Sequence, residues 1–384
     1  MTSRLFWCIG IGFSNSEDLF ATLDIPYMTS KTYAKYHQIA SDAWQRTALK
    51  KMELAAQREA KYAIEHNQVD ERGIPLITVV ADGCWSKRSY KKNYSALSGV
   101  AAIIRQRFGE VLYIGVRNKY CVICAKSKTQ GKDSPSHKCS KNFEGSSTSM
   151  EADILVESFK SSEQLFGLKY SKLIADGDSS TYKKIVEARP YDNLTVEKIE
   201  CRNHLLRNFC NKLQNLTSEA KFSLKLRKIL GENIGRMRSA VIGAISHNKR
   251  EVNGVVLLRN DIENITNHVF GDHGQCREYF CKRKQSMETN HFIHLKANTD
   301  LYSKIRSYVE TLAAQARSLI HDVDSNVVEH FNAKVAKMVG RKRVNLLFEI
   351  RMPQDVLLQL SLSTVKNRCM NCINKCTWLV QVKD

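Results

Sequence analysis

The chain has 384 residues, 43% of them hydrophobic, and a formal net charge of +20 at pH 7. This length predicts two domains, or one domain with a large insertion. No apolar run reaches the roughly 18 residues that a membrane-spanning helix needs, which argues against a membrane protein. The positive charge is concentrated in residues 85–141 and 201–260. Such clustering favours a polyanion, in particular a nucleic acid, as the partner.

The cysteines point to metal binding rather than to disulfides. The chain has 12 cysteines, and several stand in Cys-x2-Cys, His-x-Cys or His-x2-Cys contexts. Disulfide scaffolds of secreted proteins show a different, scattered spacing. The observed contexts therefore favour zinc ligands and a reducing compartment.

The first part of the chain predicts a helix followed by a group of strands. Apolar residues at three- and four-residue steps indicate a helix over residues 29–68, and Gly73-Ile-Pro75 ends the pattern. Three buried strands follow, of which the second and third form a hairpin with a turn near Gly109. Their predicted ranges are 76–81, 93–104 and 111–116.

A polar loop rich in cysteine and histidine, residues 119–148, precedes the next helix. Thr148 and Glu151 have the spacing of a capping box, which predicts a helix from Thr148 to about Phe166. A strand, a short helix, a further strand, a long helical stretch and a last helix complete the pattern. Apart from the short helix, their predicted ranges are 170–175, 195–200, 203–320 and 323–339.

This order of elements predicts an α/β protein with a mixed five-stranded sheet flanked by helices. The order resembles that of a ribonuclease H-like core. In such a core one acid lies on the first strand, a second lies beside the end of the fourth strand, and a third lies on a late helix.

Three acidic residues stand at those positions. Asp82 and Asp176 each follow a short apolar run and precede a glycine, which indicates an acid at the tip of a buried strand. Glu329 lies in a segment with helical spacing. Because neighbouring strands are only about 5 Å apart, we expect these carboxylates to hold two Mg²⁺ or Mn²⁺ ions for phosphoryl transfer. Asp178 remains an alternative to Asp176, since either aspartate can be the ligand.

Two groups of cysteine and histidine residues have the ligand types and number of tetrahedral zinc sites. The groups are Cys121, Cys124, His137 and Cys139, and His268, His273, Cys276 and Cys281. A zinc ion in the first group would stabilise a loop that has few apolar residues. The second group lies in helical surroundings, which could equally bury these side chains.

Three further features leave their role open. Cys201 and His204 follow the fifth strand and could bind a metal, or Cys201 could lie in the core with His204 on a phosphate. The segment from Cys369 to Cys376 offers only three thiols, with Cys372 between them. Four basic residues after Asp82 either clamp DNA phosphates or are solvated in a turn. They are Lys87, Arg88, Lys91 and Lys92.

Several stretches, in a fixed order, resemble Mutator-like element transposases, in particular the group found in animal and arthropod genomes. The stretches include Asp82-Gly-Cys-Trp85, Lys119-Tyr-Cys-Val-Ile-Cys124, Asp176-Gly-Asp178, Glu200-Cys-Arg-Asn-His204, Phe270-Gly-Asp-His-Gly-Gln-Cys276 and Glu329-His-Phe-Asn332. Any one of them alone is a weak signal, and their order makes the resemblance specific.

The resemblance implies a DDE-type DNA transposase with a ribonuclease H-like core. Such an enzyme cuts double-stranded DNA at the transposon ends and joins the ends to target DNA in the nucleus. By position, the resemblance assigns the catalytic triad to Asp82, Asp176 and Glu329. It also matches Cys201 and His204 to a Cys-x2-His signature of the family. Because two ends must be paired, it implies a homo-oligomer.

The same resemblance divides the chain into five segments. They are an N-terminal helical segment, the first part of the catalytic core with its zinc loop, a helical insertion, the second part of the core with the Glu329 helix, and a tail that contains cysteines. Their ranges are 1–75, 76–204 with the loop 119–148, 205–320, 321–350 and 351–384.

Two other functions remain as alternatives. About 75 residues precede the first strand, and they hold no complete zinc-finger pattern for recognition of transposon ends. This predicts a truncated or decayed copy, or a host-adopted, zinc-stabilised DNA-binding protein that no longer cuts. The second alternative is a ribonuclease H-like nuclease that acts on RNA or on RNA–DNA hybrids.

Overall fold

The computed structural model describes residues 12–85, 96–137, 139–175, 179–279, 281 and 290–338. Two helices precede three strands, and a short and a long helix then lead to an alternation of strand and helix. These elements are α1 (Phe13–Thr22), α2 (Ser30–Glu65), β1 (Leu76–Trp85), β2 (Ser98–Arg105), β3 (Val111–Asn118), α3 (Val122–Thr129), α4 (Ser149–Phe166), β4 (Lys169–Ala175), α5 (Ser179–Glu187) and β5 (Glu197–Glu200).

The remainder of the described chain is helical. Its helices are α6 (Arg202–Ser218), α7 (Leu224–Asn248), α8 (Gly254–Glu263), α9 (Ile265–Val269), α10 (Phe292–Ala297), α11 (Thr299–Ala313), α12 (Ala316–Leu319) and α13 (Asn326–Met338). The chain divides into two compact units. The first contains Met1–Leu173, Asp178–Glu197 and Asn326–Asp384, and the second contains Ile174–Gly177 and Lys198–Ser325.

Five strands form one sheet in the order β3-β2-β1-β4-β5. β1 is antiparallel to β2, and β2 is antiparallel to β3. Lys169 N donates to Pro75 O over 2.9 Å, and two residues further along both strands Ser171 Oγ donates to Ile77 O over 3.2 Å. These bonds advance in the same direction, so β4 is parallel to β1. The predicted mixed five-stranded sheet flanked by helices is therefore confirmed.

Glycines on the sheet provide the space in which α4 packs. Gly83 of β1 and Gly115 of β3 both pair with Ala101 of β2. A Cβ atom on Gly115 would lie 2.4 Å from Ile154, and one on Gly83 would lie 2.6 Å from the carboxylate of Glu151. Since side-chain atoms do not approach each other so closely, α4 reaches this face only because both positions lack a side chain.

A buried ion-pair network attaches α2 to the sheet. Arg105 at the end of β2 is 2% exposed and donates Nη1 to Ala55 O over 3.2 Å. Its guanidinium lies 2.9 Å from Glu110 and 3.4 Å from Glu59, and Arg58 also pairs with Glu110 at 2.6 Å. Burial raises the pKa of Glu59, and the charge of Arg105 opposes that rise. Arg105 thus stabilises two carboxylates that are themselves largely removed from water.

The second unit is helical and has an apolar core of its own. α7 contributes Leu230, Met237 and Val241 to this core, and α8 and α11 contribute Leu258 and Leu312 among others. The apolar residues recur at three- and four-residue steps along each helix, as one buried face requires. The prediction of a largely helical stretch over residues 203–320 is consistent with these helices.

Three local predictions differ from the structure. Asp82 was expected at the tip of the first strand, but β1 continues to Trp85 and Asp82 pairs with Ala102 of β2. The loop 119–148 contains the helix α3. Thr148 makes no side-chain capping bond, because its own backbone is helical, with φ −70° and ψ −21°. Instead, Ser146 Oγ accepts a bond from Ser149 N over 3.2 Å.

Within the described ranges, no helix combines the length and the apolar composition that crossing a membrane requires.

Candidate functional site

Asp82 is bound by a residue that lies 250 positions further along the chain. It is half-buried on β1, the middle strand of the sheet. Asn332 on α13 donates Nδ2 to Asp82 Oδ2 over 2.9 Å. Asn332 is 7% exposed, and among the described residues its Oδ1 has no hydrogen-bond partner. A buried acceptor without a partner requires an explanation, and a cation beside the two side chains would provide one.

α13 also carries Glu329. Val328, Phe331 and Val335 are buried, and with this face the helix packs against β1 and β2. Glu329 is half-buried in the first turn of α13. It precedes Asn332 by three positions, so the two Cβ atoms lie about 5–6 Å apart on one side of the helix. The third predicted acid is therefore one helical turn from the residue that binds Asp82.

The side chains of Asp82, Glu329 and Asn332, here called the Asp82 site, fit a hard divalent cation. Mg²⁺ and Mn²⁺ prefer carboxylate and amide oxygens, and the site offers both. The buried Oδ1 atom of Asn332 is such an oxygen. Asn332 was part of a recognised sequence stretch, but its bond to Asp82 was not predicted, because no local periodicity indicates a contact over such a separation.

The first cysteine and histidine group comes together around the start of α3. Ligand atoms of Cys121, Cys124, His137 and Cys139 all lie within 4.8 Å of one another. His137 Nε2 is 3.3 Å from Cys121 Sγ and 3.4 Å from Cys124 Sγ, and the sulfurs of Cys124 and Cys139 are 3.5 Å apart. Three thiols and one imidazole at these distances suit a tetrahedral zinc ion.

The surroundings of this group favour the thiolate of Cys121, whereas the bond to Pro135 O and the neighbouring thiols raise the pKa of His137 to about 9, so zinc would displace a proton from this ring. Backbone N–H groups at the start of α3, with that of Cys124 as the largest contributor, lower the pKa of Cys121 to about 5. The Nδ1 atom of His137 lies 2.7 Å from Pro135 O. A proton on Nδ1 leaves Nε2 to face the sulfurs, which is the arrangement of a metal-ligating histidine. The backbone of the predicted zinc loop thus stabilises the thiolate of Cys121, which is the form that binds a metal ion.

The second group forms a similar cluster in the helical unit. Ligand atoms of His268, His273, Cys276 and Cys281 also lie within 4.8 Å of one another. Cys276 Sγ is 3.4 Å from His268 Nδ1, and Cys281 Sγ is 3.5 Å from His273 Nδ1. Both sulfurs are buried, and burial raises the pKa of Cys276 to about 11. A metal ion would offset the cost of a buried thiolate, and Asn264 Nδ2 already donates to Cys276 Sγ over 3.6 Å.

Cys201 and His204 are placed differently. Cys201 is 1% exposed at the start of α6, and its Sγ lies 3.3 Å from Ser325 Oγ. His204 follows one turn later and is partly exposed. In the described part of the chain, neither residue belongs to a group of three or more metal-ligand side chains. Their role as metal ligands stays a prediction.

Several predicted site residues lie outside the described residues. They are Lys87, Arg88, Lys91, Lys92, Asp176 and Asp178, together with the cysteine segment from Cys369 to Cys376.

The fold and these groups define an α/β protein with candidate metal sites in both of its compact units. A family model described as Mutator-like transposase matches residues 6–281. This is more than half of the chain, so the chain belongs to the Mutator-like transposase family. Membership implies a DNA-processing enzyme that binds DNA. The match includes Asp82, Asp176 and both cysteine and histidine groups, and it ends before Glu329. No curated protein and no solved structure matches the chain.

Proposed function

We propose that the protein is a DDE-type DNA transposase in which Asp82, Asp176 and Glu329 hold two Mg²⁺ or Mn²⁺ ions. The observation that carries this proposal is the bond from Asn332 to Asp82, because it connects the helix of Glu329 to the central strand. The apolar packing of α13 on the sheet does not by itself require a polar side chain at position 332. A site for catalytic cations accounts for it.

The end of β4 favours Asp176 over Asp178 as the proposed second acid. β4 ends at Ala175. In the sequence Asp176 directly follows Ala175, as Asp82 follows Ala81, and both aspartates come after a short apolar run.

The architecture supports a ribonuclease H-like core. Three antiparallel strands, a parallel fourth strand, a fifth strand and a late helix with the third acid follow the order of such a core. The helices of the second unit then correspond to an insertion before the late helix. The two cysteine and histidine groups would bind zinc with a structural role, each stabilising a segment with little regular structure.

In this proposal the chain positions DNA for two displacement steps. Water attacks a phosphodiester at the transposon end, the bond from phosphorus to the 3′ oxygen breaks, and a 3′ hydroxyl is released. That hydroxyl then attacks a phosphodiester of target DNA and displaces its 3′ oxygen. Asn332 holds the carboxylate of Asp82 in one orientation. When bound, the cations would activate the attacking oxygen and stabilise the leaving one.

We also propose which residues contact DNA, which substrates are used and that the protein forms an oligomer. Lys87, Arg88, Lys91 and Lys92 would contact DNA phosphates beside Asp82. The substrates would be double-stranded transposon ends and target DNA in the nucleus. A homo-oligomer would hold the two ends together.

The proposal is tested by nicking of supercoiled plasmid in Mn²⁺. We expect the parent to nick the plasmid, and we expect Asp82→Asn and Glu329→Gln to abolish nicking while they leave folding intact. Of two further variants, Asp176→Asn should abolish nicking and Asp178→Asn should retain it. If the parent does not nick but still binds DNA, the protein is a DNA-binding protein without catalysis. Faster cleavage of RNA–DNA hybrid than of duplex DNA would also contradict the proposal.

A further inference from the structure

The water-facing side of α7 has an unusual composition. Five of its exposed positions are glycine or serine, four are basic, and the two others are Leu224 and Glu232. The small residues are Gly231, Gly235, Ser239, Gly243 and Ser246, and the basic residues are Lys225, Lys228, Arg236 and Arg238. We call these exposed positions the α7 face.

Three of the four basic residues of this face have no acidic partner among the described residues. α6, which packs against α7, contains no acidic residue, and α7 contains only Glu232. Among the described residues, Lys225, Lys228 and Arg238 have no carboxylate within the 4.0 Å of an ion pair. Other cations of the same unit are paired; for example, Lys221 lies 2.7 Å from Asp300. The α7 face therefore presents a local excess of positive charge to the solvent.

Packing within the protein does not explain the glycines. A Cβ atom on Gly235 or on Gly243 would meet no atom of the described chain within 4 Å. Glycine in the interior of a helix is less favourable than alanine, so stability alone would favour alanine at both positions. Small side chains, however, allow an external backbone to approach the helix closely, while long basic side chains reach around it.

We propose that the α7 face binds the phosphate backbone of duplex DNA. The partner is inferred from charge complementarity, and its identity as DNA rests on the proposed function in a DNA-processing family. Lys225 and Arg236 are 11 positions apart, which corresponds to about 16 Å along a helix. This length matches about five base pairs of duplex at 3.4 Å each. The α7 face can thus contact several phosphates at once.

The first test measures how DNA binding by the full chain depends on salt. Binding of a labelled duplex is followed by fluorescence anisotropy without added Mg²⁺ or Mn²⁺. One variant replaces the four basic residues of the α7 face with glutamine. We expect the magnitude of the slope of log affinity against log salt to fall by about 3.6, because each of the four lost phosphate contacts removes about 0.9 from it. At about 0.1 M salt the affinity should fall more than tenfold.

A matched control removes the same charge elsewhere. It replaces four exposed basic residues of α2 with glutamine, namely Lys31, Lys35, Arg46 and Lys50. We expect this control to bind with nearly the slope of the parent. An equal loss of slope in both variants would show diffuse binding and overturn the proposal. If the α7 variant loses affinity only for an RNA of the same length and not for DNA, the face binds RNA, and the proposal is overturned as well.

The glycines provide a second test, in which stability and binding change in opposite directions. Gly235→Ala combined with Gly243→Ala should raise the melting temperature, because both positions have room for a methyl group. The same variant should bind duplex DNA at least threefold more weakly, because the methyl groups keep the phosphate backbone away from the helix. Unchanged affinity in the stabilised variant would contradict a close approach of DNA at these glycines.

The binding assay is independent of catalysis. Asp82→Asn is expected to abolish nicking and to retain the salt dependence of the parent. If no nicking is found but the α7 variant lowers the slope, only the catalytic proposal fails. If nicking is found but the slope is unchanged, only the role of the α7 face fails.

Discussion

Replacement of Asn332 by aspartate tests the geometry of the Asp82 site directly. In the structure Asn332 Nδ2 donates to Asp82 Oδ2 over 2.9 Å. The substitution Asn332→Asp keeps the shape of the side chain but replaces the donor with a second carboxylate. Two carboxylates at this distance repel each other, unless a cation lies between them or one of them is protonated. The variant should therefore be less stable without a divalent cation and more strongly stabilised by one.

The size of the effect follows from the distance. At 2.9 Å, two unit charges repel by about 6 kcal/mol at an effective dielectric constant of 20 and by about 1.4 kcal/mol in water. Asp82 is half-buried and both side chains can rotate, so we expect a loss of about 2 kcal/mol. For a unit of this size, that loss lowers the melting temperature by roughly 4–8 °C. Protonation of one carboxylate relieves the repulsion, so the loss should be smaller at pH 5 than at pH 8.

Thermal unfolding of the full chain, with and without Mn²⁺, measures both effects. The matched control is Asn215→Asp, which adds the same charge at an exposed position of α6. We expect Mn²⁺ to raise the melting temperature of Asn332→Asp by more than that of the parent or the control, as linkage to a tighter site requires. Equal shifts in all three proteins, together with an unchanged melting temperature of the variant without cations, would refute the assignment of this site.

Three further predictions concern the metal groups and the core. Cys124→Ser and Cys276→Ser should each lower the zinc content of the purified chain from about two ions to one, measured by native mass spectrometry; an unchanged content would contradict the corresponding site. Arg105→Met should reduce the stability to denaturant by about 3 kcal/mol, because Glu59 then remains buried without its cation. Loss of Arg105 raises the pKa of Glu59 further, so the folded state binds this proton more tightly than the unfolded state, and the defect should grow as the pH rises from 5 to 8. Gly115→Val should destabilise by at least 2 kcal/mol in the same assay, because its Cβ would lie 2.4 Å from Ile154.

The sequence predicts the strands of the sheet well where short apolar runs are separated by turn residues. The apolar runs that end at Ala175 and Val116 mark β4 and β3, and the structure places those strands within two residues of the prediction. Helix α3 was missed, because eight residues with only weak amphipathic spacing follow Cys121.

The candidate site could be predicted only in part. The ligand types and spacings of the two cysteine and histidine groups were sufficient to identify both sets, since each set falls within a short stretch of sequence. The bond between Asn332 and Asp82 could not be predicted in this way. It depends on how α13 packs on the sheet, and no pattern within either segment specifies that packing.

The pair Asp82-Gly83 illustrates why a local pattern gave the wrong strand boundary. An aspartate followed by glycine is common in turns, which led to the prediction of a strand end. In the structure both residues lie within β1, and consecutive residues of a strand point to opposite faces of the sheet. Asp82 bonds to α13 on one face, and Gly83 gives α4 its close approach on the other. The glycine thus leaves room for the Glu151 side chain of α4 behind the acid, and a side chain at position 83 would displace that carboxylate.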